Sequence, residues 1–468
     1  MTTAWRYGEP ENGVLKVTID CPDRPVNVFS RSALEELDSL IDFIQATDGL
    51  RGVLFQSGKP GVFIAGADVT EWKDLKGYDE VHEVASFGQK VFGRLAALQI
   101  PTVALISGAC LGGGLEFALA CKYRIADEQA KTLLAFPEVK LGLIPGWGGT
   151  VRVRPLVGLS QALAMVMTGK MLNGRQAAKC GLIHDSVPTE ALESVGERVL
   201  SLVEEGRKVP VACRPKPWWK TAVENSAPYR ALAFSMAKRQ VLAKSHGHYP
   251  APIEALNAVR EGYKSAEAGF AAETDAVARL AQNDVTTECV RLFFLSTEAK
   301  KSDSDADSET KQAPIQQAAV IGAGAMGAGI ALLLARKGIW TQLKDVAPPQ
   351  VAAGMKTIRK FVNKDRQRKR ITPVQATDAL DHISPTTDYR GLKHADVVIE
   401  AIVENLDVKR KVFQEIAEAA NPKTVLATNT SSLLVGDIAQ AVPHPDRVVG
   451  LHFFNPPHQM PVVDVIRA

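Results

Sequence analysis

The sequence has few cysteines, almost no net charge and no uninterrupted apolar run long enough to span a membrane. Its six cysteines are scattered over 468 residues without a CxxC pair. This spacing excludes a disulfide framework and a zinc site, and it is typical of reduced thiols in a cytosolic protein. The formal net charge of +3 excludes both the basic excess of a nucleic-acid binder and the acidic excess of a disordered tail.

The most apolar long stretch, residues 103–121, is interrupted by glycines and by Glu116. It has about the length of a membrane span, but the interruptions predict a buried strand and helix around a loop. The N-terminus has no basic region followed by an apolar run, and the C-terminus is not a peroxisomal address. We therefore expect no membrane span, no signal or transit peptide and a cytoplasmic location.

The residues around position 300 divide the sequence. Residues 296–314 contain no aromatic and no large aliphatic side chain, so they predict a flexible linker. Before them, strand-like runs alternate with helical patterns and then give way to mostly helical sequence, which predicts an α/β domain with a helical extension. We expect a first domain at 1–190, the extension at 191–295, the linker at 296–314 and a second domain at 315–468.

Specific runs support this division. The first domain has strand-like runs and a helical pattern with Leu34, Leu37, Leu40, Ile41 and Ile44 on one face. The strands are predicted at 14–19, 53–55 and 102–106, and the helix at 32–44. Long helices of the extension are predicted at 229–245 and 252–280. The second domain shows strand candidates at 318–321, 340–344, 397–399, 425–427 and 448–451. Their alternation with helices predicts a parallel, doubly wound sheet.

A glycine triplet, Gly112-Gly113-Gly114, lies between an apolar strand and a helical run. Glycines let the backbone approach a ligand closely, and the free N–H groups at the helix start suit a developing oxyanion. A second glycine turn at 63–68 offers another N–H group. Glu116 and Glu138 can divide acid and base roles if their environments separate their pKa values. The pattern alone leaves open a packing turn with two surface glutamates.

Three segments, residues 65–68, 107–116 and 137–146, together resemble the crotonase (enoyl-CoA hydratase) family over roughly residues 10–190. The resemblance implies a spiral, ClpP-like fold in which the N–H groups of Ala67 and Gly113 hold the thioester oxygen of an acyl-CoA. It implies that Glu138 protonates Cα and that Glu116 activates water. Relatives that lose one or both glutamates are isomerases, hydrolases or lyases, so their joint presence favours a hydratase.

The second domain opens with a G-x-G-x-x-G element after a strand and at the start of a helix. Asp345 follows the next strand, where a carboxylate holds a ribose 2′-OH and favours NAD over NADP; the neighbouring Lys344 weighs the other way. This context predicts a Rossmann-type NAD-binding domain. The predicted cofactor-binding residues are Gly322, Gly324, Ala325, Met326, Gly327 and Asp345.

The remainder of this domain resembles 3-hydroxyacyl-CoA dehydrogenase at residues 398–405, 428–432 and 450–456. The resemblance implies that His452 accepts the 3-hydroxyl proton while hydride goes to NAD, with Ser431 as a hydrogen-bonding hydroxyl. It implies that Glu404, Lys409 and Asn429 line the cofactor site. Asp464 stands where the family has a glutamate, one methylene longer. The family's C-terminal helical domain, with its acyl-CoA cleft, has no counterpart before Ala468.

The order of the two domains resembles the multifunctional α-subunits of fatty-acid β-oxidation complexes. This implies hydration of trans-2-enoyl-CoA followed by oxidation of the 3-hydroxyacyl-CoA, with Δ3–Δ2-enoyl-CoA isomerisation as a side activity. It also implies acyl-CoA substrates, a separate thiolase partner and an oligomer. Two alternatives remain: the C-terminal module is an NAD-binding or docking appendage of a hydratase, or the chain comes from a truncated or split gene.

Overall fold

The computed structural model describes residues 3–22, 24–72, 77–213, 223–224, 226–299, 314–368, 370–460 and 462–467. The chain forms two compact units, residues 1–304 and 305–468. Within the described residues, no helix is long and apolar enough to cross a membrane.

The first unit is built on two sheets. Its strands are β1 (Trp5–Tyr7), β2 (Val14–Ile19), β3 (Gly52–Ser57), β4 (Val62–Ile64), β5 (Thr102–Ile106), β6 (Ala109–Leu111), β7 (Tyr123–Asp127), β8 (Leu133–Ala135), β9 (Leu172–Asn173) and β10 (Asp185–Val187). The larger sheet has the order β1-β2-β3-β5-β7-β10 and the smaller one β4-β6-β8-β9. Three successive strand pairs, β3/β4, β5/β6 and β7/β8, each contribute one strand to each sheet. The chain therefore winds as a spiral, as the resemblance implies.

Twelve helices of the described residues surround these sheets. They are α1 (Arg31–Ala46), α2 (Val69–Trp72), α3 (Gly77–Ala97), α4 (Gly113–Ala120), α5 (Gly149–Val157), α6 (Leu159–Thr168), α7 (Gly174–Cys180), α8 (Leu192–Glu204), α9 (Ala227–Ser245), α10 (Ala251–Glu261), α11 (Ala266–Ala281) and α12 (Asp284–Glu298). The predicted helix at 32–44 is confirmed. The Ser30 hydroxyl caps α1 by accepting from the Ala33 N–H, and the predicted apolar face is buried.

The helical extension packs into the core of the first unit. Leu256 of α10 and Val277 of α11 are buried in one apolar core with Phe136 and Trp147. The prediction of a single helix over 252–280 is wrong, because α10 ends at Glu261 and α11 begins at Ala266. Ser265 starts the second helix, since its hydroxyl accepts a hydrogen bond from the Ala268 N–H at 3.1 Å.

The predicted linker starts too early. Helix α12 continues to Glu298, so the first three residues of 296–314 are helical. Asn283 caps this helix by accepting from the Val285 N–H, and the apolar residues of α12 favour its continuation up to the polar run. Residues 300–313 of the predicted linker lie outside the described residues.

The second unit is a doubly wound sheet, as predicted. Its strands are β11 (Gln317–Ile321), β12 (Trp340–Lys344), β13 (Ile383–Thr386), β14 (Val397–Glu400), β15 (Val425–Thr428), β16 (Val448–Phe453) and β17 (Val463–Arg467). Its helices are α13 (Ala325–Ala335), α14 (Pro348–Gln367), α15 (Pro373–Asp381), α16 (Leu406–Ala419) and α17 (Val435–Ala439). The order β13-β12-β11-β14-β15-β16-β17 reverses at β11. Ligands bind such sheets at the carboxyl ends of the strands near this switch point.

Two strands of this sheet were not predicted. β13 contains Pro385, which cannot donate a ladder hydrogen bond and is tolerated here because the strand is at the sheet edge. β17 is antiparallel to β16, so the sheet is not wholly parallel. The strand β17 contributes a residue to the candidate active site described below.

Candidate active sites

The glycine triplet forms the floor of a cavity in the first unit. Gly112 has φ of 53°, a left-handed conformation that favours glycine. A Cβ atom at this position would lie 2.6 Å from Oε1 of Glu138, so the glutamate carboxyl group lies directly over the turn. Helix α4 then begins at Gly113 and carries Glu116 in its first turn.

The N–H groups of Ala67 and Gly113 lie side by side. A Cβ atom on Gly113 would lie 3.4 Å from the Ala67 nitrogen. Among the described residues, neither N–H group has a protein acceptor. Both residues line a cavity of about 90 Å³ together with Glu116, Glu138 and Trp147. Two adjacent free donors in one cavity form a site for a developing oxyanion.

Glu116 is buried and held by backbone donors. Its side chain is 2% exposed, and Oε1 accepts hydrogen bonds from the N–H groups of Trp147 at 2.7 Å and Gly149 at 2.8 Å. Burial, followed by the charges of Glu138 and Glu273, raises the pKa of Glu116, while the two backbone donors act in the opposite direction. The alternative that Glu116 is a surface residue, which the sequence pattern left open, is therefore wrong.

Glu138 lies at the start of a 3₁₀ turn, Glu138–Leu141. Its Oε2 atom is buried, and no hydrogen-bond partner is found for it among the described residues. Burial raises the pKa of Glu138 to about 8, so this carboxyl group holds a proton at neutral pH. The two glutamates thus differ in environment, which is the condition for dividing acid and base roles.

A third buried carboxylate, Glu273, was missed by the sequence reasoning. It lies on α11, and its Oε1 accepts a hydrogen bond from the Thr150 N–H at 2.6 Å and another from the Thr150 hydroxyl. Burial raises the pKa of Glu273 to about 7. A signal was present: Gly269, Glu273, Val277 and Leu280 share one buried helix face, where an unpaired glutamate is rare.

The glycines at the start of the second unit have distinct roles. A Cβ atom on Gly327 would lie 1.8 Å from the Gly322 carbonyl oxygen, and one on Gly322 would lie 2.5 Å from that of Ala401. The space around Gly324 is open. Ala325 and Met326 begin helix α13, whose N-terminal N–H groups favour an anion. The motif therefore packs closely at its two ends and is open at the position where a pyrophosphate approaches.

Asp345 lies just beyond the carboxyl end of β12, next to this turn. Its Oδ2 accepts a hydrogen bond from the Ala323 N–H at 2.7 Å. The Lys344 ammonium group lies over the Tyr389 ring, 3.9 Å from its centroid, and the residue is buried. Because Lys344 is committed to this cation–π contact, it is not available to a 2′-phosphate beside Asp345.

His452 lies between two polar side chains. Its Nε2 is 3.3 Å from the Ser431 hydroxyl oxygen, and its Nδ1 is 3.1 Å from Oδ2 of Asp464. Ser431 follows β15, His452 lies on β16 and Asp464 on β17. The structure therefore brings together all three residues predicted for proton transfer.

Two of the remaining predicted cofactor residues, Lys409 and Glu404, form a network with the buried Glu400. Lys409 is completely buried, and its Nζ is 2.7 Å from Oε1 of Glu400 and 3.3 Å from Oε2 of Glu404. Glu404 accepts hydrogen bonds from the N–H groups of Ser431 and Ser432. Burial raises the pKa of Glu404, but hydrogen bonds from the Thr430 hydroxyl and the Ser431 N–H outweigh burial and lower the pKa to about 2.

This network acts beneath the site. The Lys409 ammonium group is enclosed by carboxylates, so it supports the turn through Glu404. The Asn429 side-chain oxygen accepts a hydrogen bond from the Phe453 N–H at 2.8 Å, which ties the end of β15 to the strand of His452. Direct contact of Lys409 and Asn429 with a cofactor stays a prediction.

Comparison with known proteins agrees with this division. Residues 9–214 match the family model for enoyl-CoA hydratase/isomerase, and residues 317–468 match that for the NAD-binding domain of 3-hydroxyacyl-CoA dehydrogenase. The first part of the chain is thus similar to enoyl-CoA hydratases/isomerases, and the last part is similar to the NAD-binding domain of 3-hydroxyacyl-CoA dehydrogenases.

One relative matches this chain over its whole length. The chain is 35% identical over 470 aligned positions to the fatty acid oxidation complex subunit alpha of Shewanella frigidimarina; the match covers 100% of this chain and 65% of that protein. The chain therefore spans slightly less than two thirds of this relative's length.

Two solved structures each match a part of the chain. The 3-hydroxybutyryl-CoA dehydrogenase of Escherichia coli K12 is 40% identical over 33% of this chain and 32% of its own, with a TM-score of 0.32. An enoyl-CoA hydratase of Bacillus anthracis is 24% identical over 64% of this chain and 97% of its own, with a TM-score of 0.40.

Proposed function

We propose that the first unit hydrates trans-2-enoyl-CoA to 3-hydroxyacyl-CoA. The observation that carries this proposal is the single cavity that holds Glu116, Glu138 and the free N–H groups of Ala67 and Gly113. Addition of water to an alkene conjugated with a thioester develops negative charge on the carbonyl oxygen. The two N–H groups stabilise this charge, and loss of one such donor typically costs ~10²–10³ in rate.

The environments of the two glutamates support a division of their roles. Two backbone hydrogen bonds to Oε1 of Glu116 oppose the effect of burial and favour its carboxylate form, so we assign to Glu116 the acceptance of a proton from water as the water oxygen bonds to Cβ. Glu138 holds the proton that goes to Cα, because burial raises its pKa to about 8. Transfer of a proton from Glu116 to Glu138 then restores the starting state. The same groups support Δ3–Δ2 isomerisation as a side activity, by moving a proton between carbons.

We further propose that the second unit oxidises 3-hydroxyacyl-CoA with NAD. The open space at Gly324 and the carboxylate of Asp345 fit the pyrophosphate and the ribose of NAD. NAD held there would supply the acceptor for the hydride that leaves C3 of the substrate. Asp464 accepts a hydrogen bond from Nδ1 of His452, which leaves Nε2 free to take the 3-hydroxyl proton. Ser431 lies on the Nε2 side and orients the substrate hydroxyl.

A second candidate is a hydratase whose C-terminal module binds NAD without turnover. The observation that favours it is the exposure of the proposed proton-transfer pair. The side chain of Asp464 is 49% exposed and that of His452 is 24% exposed. Hydride transfer benefits from a site that excludes water.

Two assays separate these possibilities. Hydration of crotonyl-CoA, followed as loss of enoyl absorbance, is expected for the wild type and should fall at least ~10²-fold in Glu138→Gln, since a positioned general acid contributes that much. Lys140→Ala, an exposed change on the same turn, serves as the control. No hydration by the wild type contradicts the first proposal. NADH formation from 3-hydroxybutyryl-CoA, abolished by His452→Ala, supports the second; NAD binding without NADH formation favours the appendage.

We also propose a cytoplasmic oligomer that associates with a separate thiolase. The name of the Shewanella relative, a complex subunit alpha, supports a partner subunit. Cys21, Cys110 and Cys121 are buried thiols, which supports a reducing compartment. Two measurements test this proposal. A thiolase should co-purify with the chain from the cells that produce it, and light scattering should give the mass of an oligomer.

A further inference from the structure

The helical extension contributes a charged group next to the hydratase site. Glu273 on α11 has no exposed surface, yet it is not part of the cavity lining. Its Oε1 binds Thr150 through the N–H and the hydroxyl. Its Oε2 accepts a hydrogen bond from the Gln89 side-chain amide at 3.3 Å. A buried carboxylate is costly unless it is hydrogen-bonded, and this one is held on both oxygens.

The segment from Trp147 to Thr150 connects Glu273 to Glu116. The N–H groups of Trp147 and Gly149 bind Glu116, whereas the next N–H group, on Thr150, binds Glu273. Two carboxylates thus hold consecutive donors of one short segment. Because Gly149 and Thr150 begin helix α5, both negative charges also lie at the favourable end of its dipole. A shift of Thr150 would move the donors that orient Glu116.

The charges around Glu273 are few. Glu116 on α4, Glu138 on the 3₁₀ turn and Arg152 on α5 interact with it electrostatically, while α3 presents the neutral Gln89. Arg152 is tied to the same segment, since its guanidinium donates to the Trp147 carbonyl oxygen at 2.6 Å. Three carboxylates and one guanidinium share this buried region, so a change in one charge acts on the others.

We propose that Glu273 is a positioning residue of the hydratase site. It fixes the Trp147–Thr150 segment that orients Glu116, and its negative charge acts on the proton transfers of Glu116 and Glu138. The inference rests on the proposed hydration activity. Glu273 itself touches no reacting atom. The helical extension is therefore required for the chemistry of the spiral domain as well as for its packing.

Two variants of the full chain separate the charge of Glu273 from its hydrogen bonds. Glu273→Gln keeps an oxygen acceptor for Thr150 and removes the charge. Loss of this negative charge favours ionisation of Glu116 and Glu138, so both limbs of the pH profile of kcat are expected to move to lower pH. Thr150→Val removes the hydroxyl donor and keeps the charge, so kcat is expected to fall without movement of the limbs.

The readout is crotonyl-CoA hydration from pH 5 to pH 10, with kcat and KM determined at each pH. We expect kcat at neutral pH to fall roughly 10- to 100-fold in both variants with little change in KM, as is typical for residues that orient catalytic groups. Asp275→Asn removes a charge from the exposed face of the same helix and is expected to match the wild type.

The outcomes are distinct. If the wild type hydrates crotonyl-CoA and Glu273→Gln shows wild-type kcat and unshifted limbs, the positioning role is overturned while the hydratase function stands. If the wild type is inactive, both fail. If thermal unfolding shows that Glu273→Gln does not fold, Thr150→Val decides, and wild-type kcat in that variant overturns the proposal.

Discussion

Asp464 and His452 are directly opposite each other on the antiparallel strands β17 and β16, and their side chains meet at 3.1 Å. The Cβ atoms of two directly opposed residues are only ~5 Å apart. A short carboxylate therefore reaches the imidazole. The aspartate thus contacts the imidazole although it is one methylene shorter than the glutamate of the family pattern.

This pairing predicts that Asp464→Asn lowers NAD-dependent oxidation of 3-hydroxybutyryl-CoA roughly 10²-fold or more. The amide no longer holds the imidazole in the tautomer that accepts a proton at Nε2. NADH absorbance measures the rate, and NAD affinity, measured by calorimetry, is expected to stay unchanged. Asp464→Glu keeps the charge and should lose less; an equal loss in both variants would show that charge and tautomer are not the reason.

The buried acid Glu138 predicts a pH-dependent stability difference. Its pKa is about 8 in the folded protein and ~4.3 in an unfolded chain. The raised folded pKa means that its contribution to stability is fully present below the unfolded value and is lost as the pH rises through about 8.

Glu138→Gln should therefore gain in Tm relative to the wild type between pH 4.5 and pH 8, although it loses hydration activity. Thermal unfolding followed by circular dichroism at pH 4.5, 6, 8 and 9 measures this difference. A Tm difference that is the same at every pH would mean that Glu138 does not carry a raised pKa.

The packing around the glycine motif predicts different defects for two alanine variants. Gly327→Ala places a methyl group 1.8 Å from the Gly322 carbonyl oxygen, so the second unit should lose stability and NAD binding together. Gly324→Ala faces open space and should keep its Tm while binding NAD roughly 10-fold more weakly, because the methyl group obstructs the backbone approach to the pyrophosphate. Calorimetric NAD titration and thermal unfolding distinguish the two; equal Tm losses would contradict this assignment.

The enclosed ion pair of Lys409 and Glu400 predicts a large loss of stability for Lys409→Met. The variant leaves a buried carboxylate without its cation, which typically costs about 3–5 kcal/mol. The double variant Lys409→Met/Glu400→Gln removes the charge as well and should recover part of the loss. Urea unfolding of the second unit measures both. Normal stability with lost NAD binding in Lys409→Met would instead indicate a direct cofactor contact.

Local sequence determined much of this protein. Apolar runs located eight of the seventeen strands of the described residues, and a helical apolar pattern located the helix α1, because a buried face leaves its spacing in the sequence regardless of its partner. The glycine motifs were equally readable, since close backbone approach at Gly112, Gly322 and Gly327 tolerates no side chain. The resemblance then supplied the roles of Glu116, Glu138 and His452.

The tertiary structure decided which distant residues meet. Glu273 lies 123 residues from Thr150 in sequence, and no local pattern shows that α11 packs its one buried carboxylate behind Glu116. The enclosure of Lys409 and the commitment of Lys344 to Tyr389 were hidden for the same reason. The strand β17, with Asp464 opposite His452, depends on a register that only folded neighbours establish. Hydrogen bonding, burial and electrostatics depend on distances through space, and these distances separated the residues that line the two candidate sites from those that lie behind them.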